Sequence, residues 1–310
     1  MDALVGALSL LAPILLGVIA GVLRVFSDPT AAGGVLNRYA LTFAFPALMF
    51  SALAFGELAL PSGLWFWSLV PVALAVALLG VRLLAPRGQA GAMALVTAFG
   101  NVAYIGIPLS QQVLGDDVLG LAALVAGVHV IVGLSAGVWL LFAWSPRRGD
   151  AAQAAPMGRV VRLPIVWAPG LGLLARLLPA GVLDGIESIV APIGASAGPV
   201  ALFLVGLYVH TERHTLRKVD GVTARYTISK LVLLPMVTFA MAAAGTATGA
   251  LAQQPAQVAV LLSSVSTGIA SFALAAEFEI QPQRTAQAFA TTTLFSIITI
   301  PIAIWAIQLL

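Results

Sequence analysis

Ten stretches of about 20 mostly apolar residues follow one another along this chain, and that succession limits what it can fold into. A helix needs about 20 such residues to cross the hydrocarbon of a bilayer. Measured that way, spans fall near residues 4–26, 36–55, 63–84, 92–114, 118–144, 163–178, 189–209, 226–244, 257–276 and 285–310, designated M1 to M10. Hydrophobic residues make up 60% of the chain and charged ones 9%, with a mean hydropathy of +1.04, outside the range of soluble domains. The expected class is an all-α, multi-pass integral membrane protein of the cell membrane, with the lipid bilayer as its surroundings. M6 is the least regular span, interrupted by Pro164, Pro169, Gly170 and Gly172. The N-terminal stretch lacks a basic start and is as long as a span, so it reads as a first helix rather than a cleaved signal.

The 15 Lys and Arg exceed the 12 Asp and Glu, but charges this sparse, set at segment ends, are topology signals and give no surface for nucleic acid. Alternating spans place every Lys and Arg except Arg176 on one side, which is then cytoplasmic, and both termini on the other. With no cysteine, a disulfide, a thiolate metal site and a cysteine nucleophile are excluded. No cofactor is expected beyond a coupling ion, H+ or Na+.

A polar loop at 145–162 divides the spans five and five. An odd number per half makes the second half enter the membrane from the opposite face, as in transporters built from inverted repeats. Internal echoes agree. Ala12-Pro13 resembles Ala168-Pro169, and the run from Phe45-Pro46 to Phe50 resembles that from Gly198-Pro199 to Phe203.

Two spans carry interruptions at matching places. M4 contains Gly100-Asn101-Val102-Ala103-Tyr104-Ile105-Gly106-Ile107-Pro108, and M9 contains Ser263-Ser264-Val265-Ser266-Thr267-Gly268-Ile269-Ala270-Ser271. Irregular backbone at membrane depth survives only where it is enclosed by protein or lines a cavity. Paired breaks in the two halves point to a midplane site. The start of a half-helix exposes N–H groups with about half a positive charge, suited to a carboxylate. Asn101, Tyr104, Gly106, Pro108, Ser264, Ser266, Thr267, Gly268 and Ser271 are therefore the candidate substrate-binding residues. The plain alternative is that glycine and proline are frequent in membrane helices and that Ser and Thr bond the preceding turn.

These segments resemble a known family. Arg38-Tyr39-Ala40-Leu41 running into Phe45-Pro46-Ala47-Leu48-Met49-Phe50-Ser51, "GNVAYIGIPL", "GPVALFLVGL", "KLVLLP" and the closing "LFSIITIPI" are similar to the auxin efflux carriers, secondary transporters within the bile acid and auxin carrier type of superfamily. The resemblance implies two inverted five-helix repeats with M4 and M9 crossing at the substrate site, a small organic anion as substrate, an elevator motion and a homodimer joined through its scaffold. Residues 1–62 and 163–211 would form the scaffold, 63–144 and 212–310 the transport part, and 145–162 a cytoplasmic loop. Val102 stands where plant members have proline after the Asn, and the M9 break has Gly268 and no proline, which weakens the case for auxin itself.

Two further ionisable residues lie within spans. His129 in M5 is either a proton carrier or a neutral side chain bonded to another helix. Lys230 in M8 either snorkels to water or pairs with substrate or an ion site. No buried Lys or Arg is expected beside the breaks, which favours one carboxylate over two, because a dianion costs more to dehydrate. The expected function is a secondary transporter of a small organic anion working by alternating access. A sodium-coupled, bile-acid-type symporter is the alternative. An intramembrane enzyme lacks the equipment: there is no HExxH motif, no cysteine and no carboxylate pair at depth.

Overall fold

A computed structural model describes residues 2–56, 63–145, 164–211, 220–268, 271–272, 274–275 and 278–310. The loop at 146–162, with Arg147 and Arg148, and Ile269, Ala270 and Glu277 lie outside the described residues. The described chain is helical: α1 Asp2–Val22, α2 Pro29–Tyr39, α3 Phe45–Ala54, α4 Leu64–Leu84, α5 Ala90–Ala98, α6 Ile107–Leu114, α7 Leu119–Ala143, α8 Pro164–Ala175, α9 Ala180–Ala195, α10 Ala197–Thr211, α11 Gly221–Ile228, α12 Leu234–Ala247, α13 Gln253–Ser264 and α14 Pro282–Ala306. Among the described residues, five helical runs are long and apolar enough to cross a membrane: Leu64–Leu84, Asp116–Ala143, Ala180–Tyr208, Gly221–Ala247 and Pro282–Leu309. Large apolar side chains such as Leu83, Ile189, Ile297 and Trp305 are exposed on the outside, as a lipid-facing surface requires.

Two helices begin earlier than hydropathy indicates. The M2 region starts at Pro29, where Asp28 caps the helix by accepting from the N–H groups of Thr30 and Ala31, and α9 starts at Ala180 rather than near 189. The opening residues of the first, Pro29-Thr30-Ala31-Ala32-Gly33-Gly34, are small and weakly hydrophobic, and Asp184 and Glu187 lower the hydropathy of the second without ending the helix.

Among the described residues, three helical turns widen to π geometry, at Ala40–Ala44, Val102–Gly106 and Ser229–Leu233, and each stands just before a proline. Pro46, Pro108 and Pro235 lack an N–H and crowd the carbonyl four residues back. The residue before each proline (Phe45, Ile107, Leu234) donates instead to the carbonyl five back, on Ala40, Val102 and Ser229.

Small residues set the closest packing. Gly17 of α1 faces the Phe203 carbonyl of α10, and Gly206 of α10 faces the Ile14 carbonyl of α1. A side chain at either would collide, with a Cβ at Gly206 also 2.9 Å from the Val18 nitrogen. In α8, Gly172 approaches the Phe50 carbonyl of α3, where a Cβ would stand at 2.7 Å. Small residues at such seams let backbones meet without a gap.

Several arginines fall at two ends. At one end Arg82 lies over the Trp144 ring, Arg225 donates to the Leu84 carbonyl at 3.3 Å, and Arg284 pairs with Asp220 at 2.7 Å. At the other end, Arg176 donates to the carbonyls of Leu53, at 2.6 Å, and Gly56, closing the C-terminus of α3. Asp116 and Asp117 are exposed there, accepting from Gln111 and Gln254.

Candidate functional site

Both interrupted helices are broken, and the breaks meet. α5 ends at Ala98 and α13 at Ser264, each followed by extended backbone at Phe99 and Val265. Gly100 and Thr267 then pair as an antiparallel bridge: the Asn101 N–H donates to the Ser266 carbonyl and the Gly268 N–H to the Phe99 carbonyl, both at 2.8 Å. Exchange of two bonds satisfies backbone groups that water would otherwise have to serve. Gly268 is needed for the approach, since a Cβ there would lie 2.6 Å from the Phe99 ring.

The hydroxyls divide into two sets. Thr267 Oγ1 lies 2.8 Å from the Val96 carbonyl and 3.0 Å from that of Phe99, its one hydrogen shared between two helix-end acceptors. Ser264 donates to the Val260 carbonyl and Ser271 to that of Gly268, both at 2.7 Å. These three hold the break in shape. Ser266 Oγ and Asn101 Oδ1, by contrast, are buried and have no hydrogen-bond partner. They flank the same bridge. Asn101 also opens the second half of M4 without capping it through its side chain, although its backbone carbonyl accepts from Ile105 at 2.9 Å.

Gly106 packs on α13, where a Cβ would be 3.2 Å from Leu262. Tyr104 stands in the widened turn, and its side chain lies outside the described residues. Pro108 is set apart from the others: it lines a cavity of about 640 Å³ together with Pro13, Ser51, Gln111, Glu187 and Pro199, between α1, α3, α6, α9 and α10.

Lys230 does not snorkel. It is fully buried, and its Nζ donates to the Ser263 carbonyl at 3.3 Å beside the bridge. The expectation of a crossing without a cation is thereby corrected. The cause is the widened turn before Pro235: an added residue rotates the register by about 100°, so consecutive Ser229, Lys230 and Leu231 are all buried. Ser229 Oγ lies 2.8 Å from Thr97 Oγ1, tying this turn to α5. His129 of α7 is buried as well, with Nε2 3.2 Å from the Ala98 carbonyl. A carbonyl only accepts, so Nε2 carries the hydrogen.

Hydropathy and break spacing overlooked Thr292, whose hydroxyl accepts from the Thr267 N–H at 3.2 Å. The signal was present, since Thr291-Thr292-Thr293 is a polar run in an otherwise apolar span, and all three are buried.

Residues 153–304 match the family described as membrane transport protein. An "Uncharacterized transporter" of Methanothermobacter thermautotrophicus is 25% identical over 315 residues, covering 97% of each chain. A "Putative malonate transporter" of Rhizobium meliloti is 24% identical over 290 residues, covering 89% of this chain and 88% of its own. The family match thus covers the second half of the chain, and the two relatives run nearly its whole length. The matched family is the auxin efflux carrier family to which the motifs point, and the comparisons agree on a membrane transporter. The names of the family and of these relatives are those of transporters rather than enzymes.

Proposed function

We propose that this transporter carries a small organic anion, a carboxylate, captured where the two broken helices cross. The observation that carries the reading is the pair of partnerless buried groups, Asn101 Oδ1 and Ser266 Oγ, beside a half-helix start that no side chain caps, with a buried Lys230 nearby. A carboxylate accepts from helix-start N–H groups and from the Ser266 hydroxyl. Half a turn of the Asn101 amide brings its NH2 to the same place. Lys230 removes the electrostatic objection to a second carboxylate, and the malonate in one relative's name makes that dianion the first to test.

The mechanism we favour is alternating access by an elevator motion of M3–M5 and M8–M10 against a scaffold of M1, M2, M6 and M7, with homodimers formed through the scaffold. Ten spans in two inverted repeats, with both termini outside, accommodate this. The repeat is supported by the match of the Gly17–Phe203 seam to the Gly172–Phe50 seam, since Phe203 and Phe50 hold equivalent places in the internal echo. The 640 Å³ cavity lies between the proposed scaffold and transport parts, as an entry on the outer side would. Uptake into proteoliposomes tests the reading. Wild type accumulates labelled malonate or a monocarboxylate, and Asn101→Ala and Ser266→Ala each weaken binding by about 1 to 2 kcal/mol with expression intact. Wild-type affinity in both variants refutes it.

A further inference from the structure

Two half-helices that end against each other create a place for a positive charge. The last carbonyls of α5 and α13 have no partner within their own helices and carry about half a negative unit at each end. In transporters with broken helices, such ends and unwound carbonyls coordinate the coupling cation. Here the side chain of Lys230 reaches that place. Its Nζ sits on the Ser263 carbonyl of α13, one residue before the end of the helix, and against Gly100, just past the end of α5. A Cβ at Gly100 would stand 2.9 Å from Nζ and 3.3 Å from His129 Nε2, so the lysine head, the imidazole and the bare backbone converge on one point. His129 spends its Nε2 hydrogen on the Ala98 carbonyl and offers no lone pair from that atom. Among the described residues, the ion pair formed is Arg284 with Asp220, and no Asp or Glu neutralises Lys230.

We infer that Lys230 is a tethered cation standing where a coupling metal ion would bind, so that anion capture at the crossing needs no sodium. The inference rests on the crossing being an anion site, and it excludes the sodium-coupled alternative for this chain. The amine arrives through the widened turn before Pro235 and stays attached, so one positive charge is supplied without ion uptake. Gly100 has to be glycine for the head to reach both helix ends.

The test follows the melting temperature of the purified full chain in sodium chloride and in choline chloride, with and without malonate. For wild type the melting temperature and the malonate-induced shift are expected to be the same in both salts. Lys230→Ala empties the place among the carbonyls. It is expected to lose malonate affinity by roughly tenfold or more and to regain part of it with methylammonium or sodium. Gly100→Ala keeps the charge but displaces the head and is expected to show a smaller loss. Lys230→Met fills the same space without charge and reports on malonate if Lys230→Ala does not fold. A sodium-specific stabilisation of wild type, or wild-type malonate affinity in Lys230→Met, overturns the inference. If wild type binds neither malonate nor butyrate, the anion reading fails by itself. The unliganded arm then decides: a sodium or methylammonium shift gained by Lys230→Ala and absent from wild type upholds the tethered cation, and its lack overturns it.

Discussion

The seam between α1 and α10 and the crossing of α5 with α13 both bring two backbones closer than ordinary side chains allow, and they do so to opposite effect. At the seam, Gly17 and Gly206 face carbonyls of continuous helices, whose ladders already satisfy them, so the approach yields contact alone. At the crossing the ladders are interrupted, and the approach of Gly100 to Thr267 has to supply hydrogen bonds, which it does with two backbone bonds and the Thr267 hydroxyl. Close packing thus makes a rigid wall in one place. In the other it exposes backbone and leaves Asn101 and Ser266 with capacity to spare. What separates the outcomes is whether the helix is intact where the partner arrives.

The largest effect that would break this contrast is expected at the seam. Gly206→Leu drives a side chain into the Ile14 carbonyl and should cost about 3 kcal/mol or more, read as loss of the monodisperse species in detergent. Next comes Thr267→Val, which keeps the shape but takes the hydroxyl from the Val96 carbonyl and leaves that of Phe99 with the Gly268 N–H alone; a melting-temperature series should show a loss of about 1 to 3 kcal/mol. Ser266→Ala sharpens the difference, because its hydroxyl bonds nothing in the protein: stability should stay within about 0.5 kcal/mol of wild type while anion affinity falls. Arg176→Ala uncovers the Leu53 and Gly56 carbonyls at the end of α3, for an expected cost of about 1 kcal/mol that leaves anion affinity unchanged.

The smallest effect concerns acid. The Thr223 N–H and the Arg284 guanidinium hold the Asp220 carboxyl down at about 2, below its ordinary 3.8. A group depressed on folding stabilises above its unfolded value, and that contribution disappears as pH falls from about 4 through about 2. A slight drop in melting temperature over that window, absent in Asp220→Asn, is the expected observation. Neither the seam nor the crossing should respond through this residue.

Much of the crossing was legible in the sequence. Glycine and proline inside apolar spans at matching places in the two halves announced the breaks, because backbone that leaves the helix in hydrocarbon must be enclosed. Asn101 and Ser266 were legible as polar groups at those breaks. Their difference from Ser264 and Thr267 was not, since all four are short polar side chains in one run and only the position of the Val260, Val96 and Phe99 carbonyls separates structural hydroxyls from partnerless ones. Lys230 was misjudged for a related reason. Its distance from the span end suggested a stem long enough to reach water, but the extra residue in the π turn before Pro235 rotates it inward. The early starts of the M2 region and of α9 were hidden because small residues in one and charges in the other depress hydropathy whether or not the helix continues.

By itself the sequence determined the class of protein and the places where its helices break. Apolar length, the scarcity of charge and the position of glycine and proline are local properties, and the bilayer converts them directly into spans and interruptions. Tertiary structure alone decided which polar atoms are consumed in holding the breaks together and which are left over. It also decided that a lysine head stands between two helix ends. Both depend on the distances between segments far apart in the chain, 230 from 263 and 101 from 266, and no local pattern encodes the rotation of one helix against another.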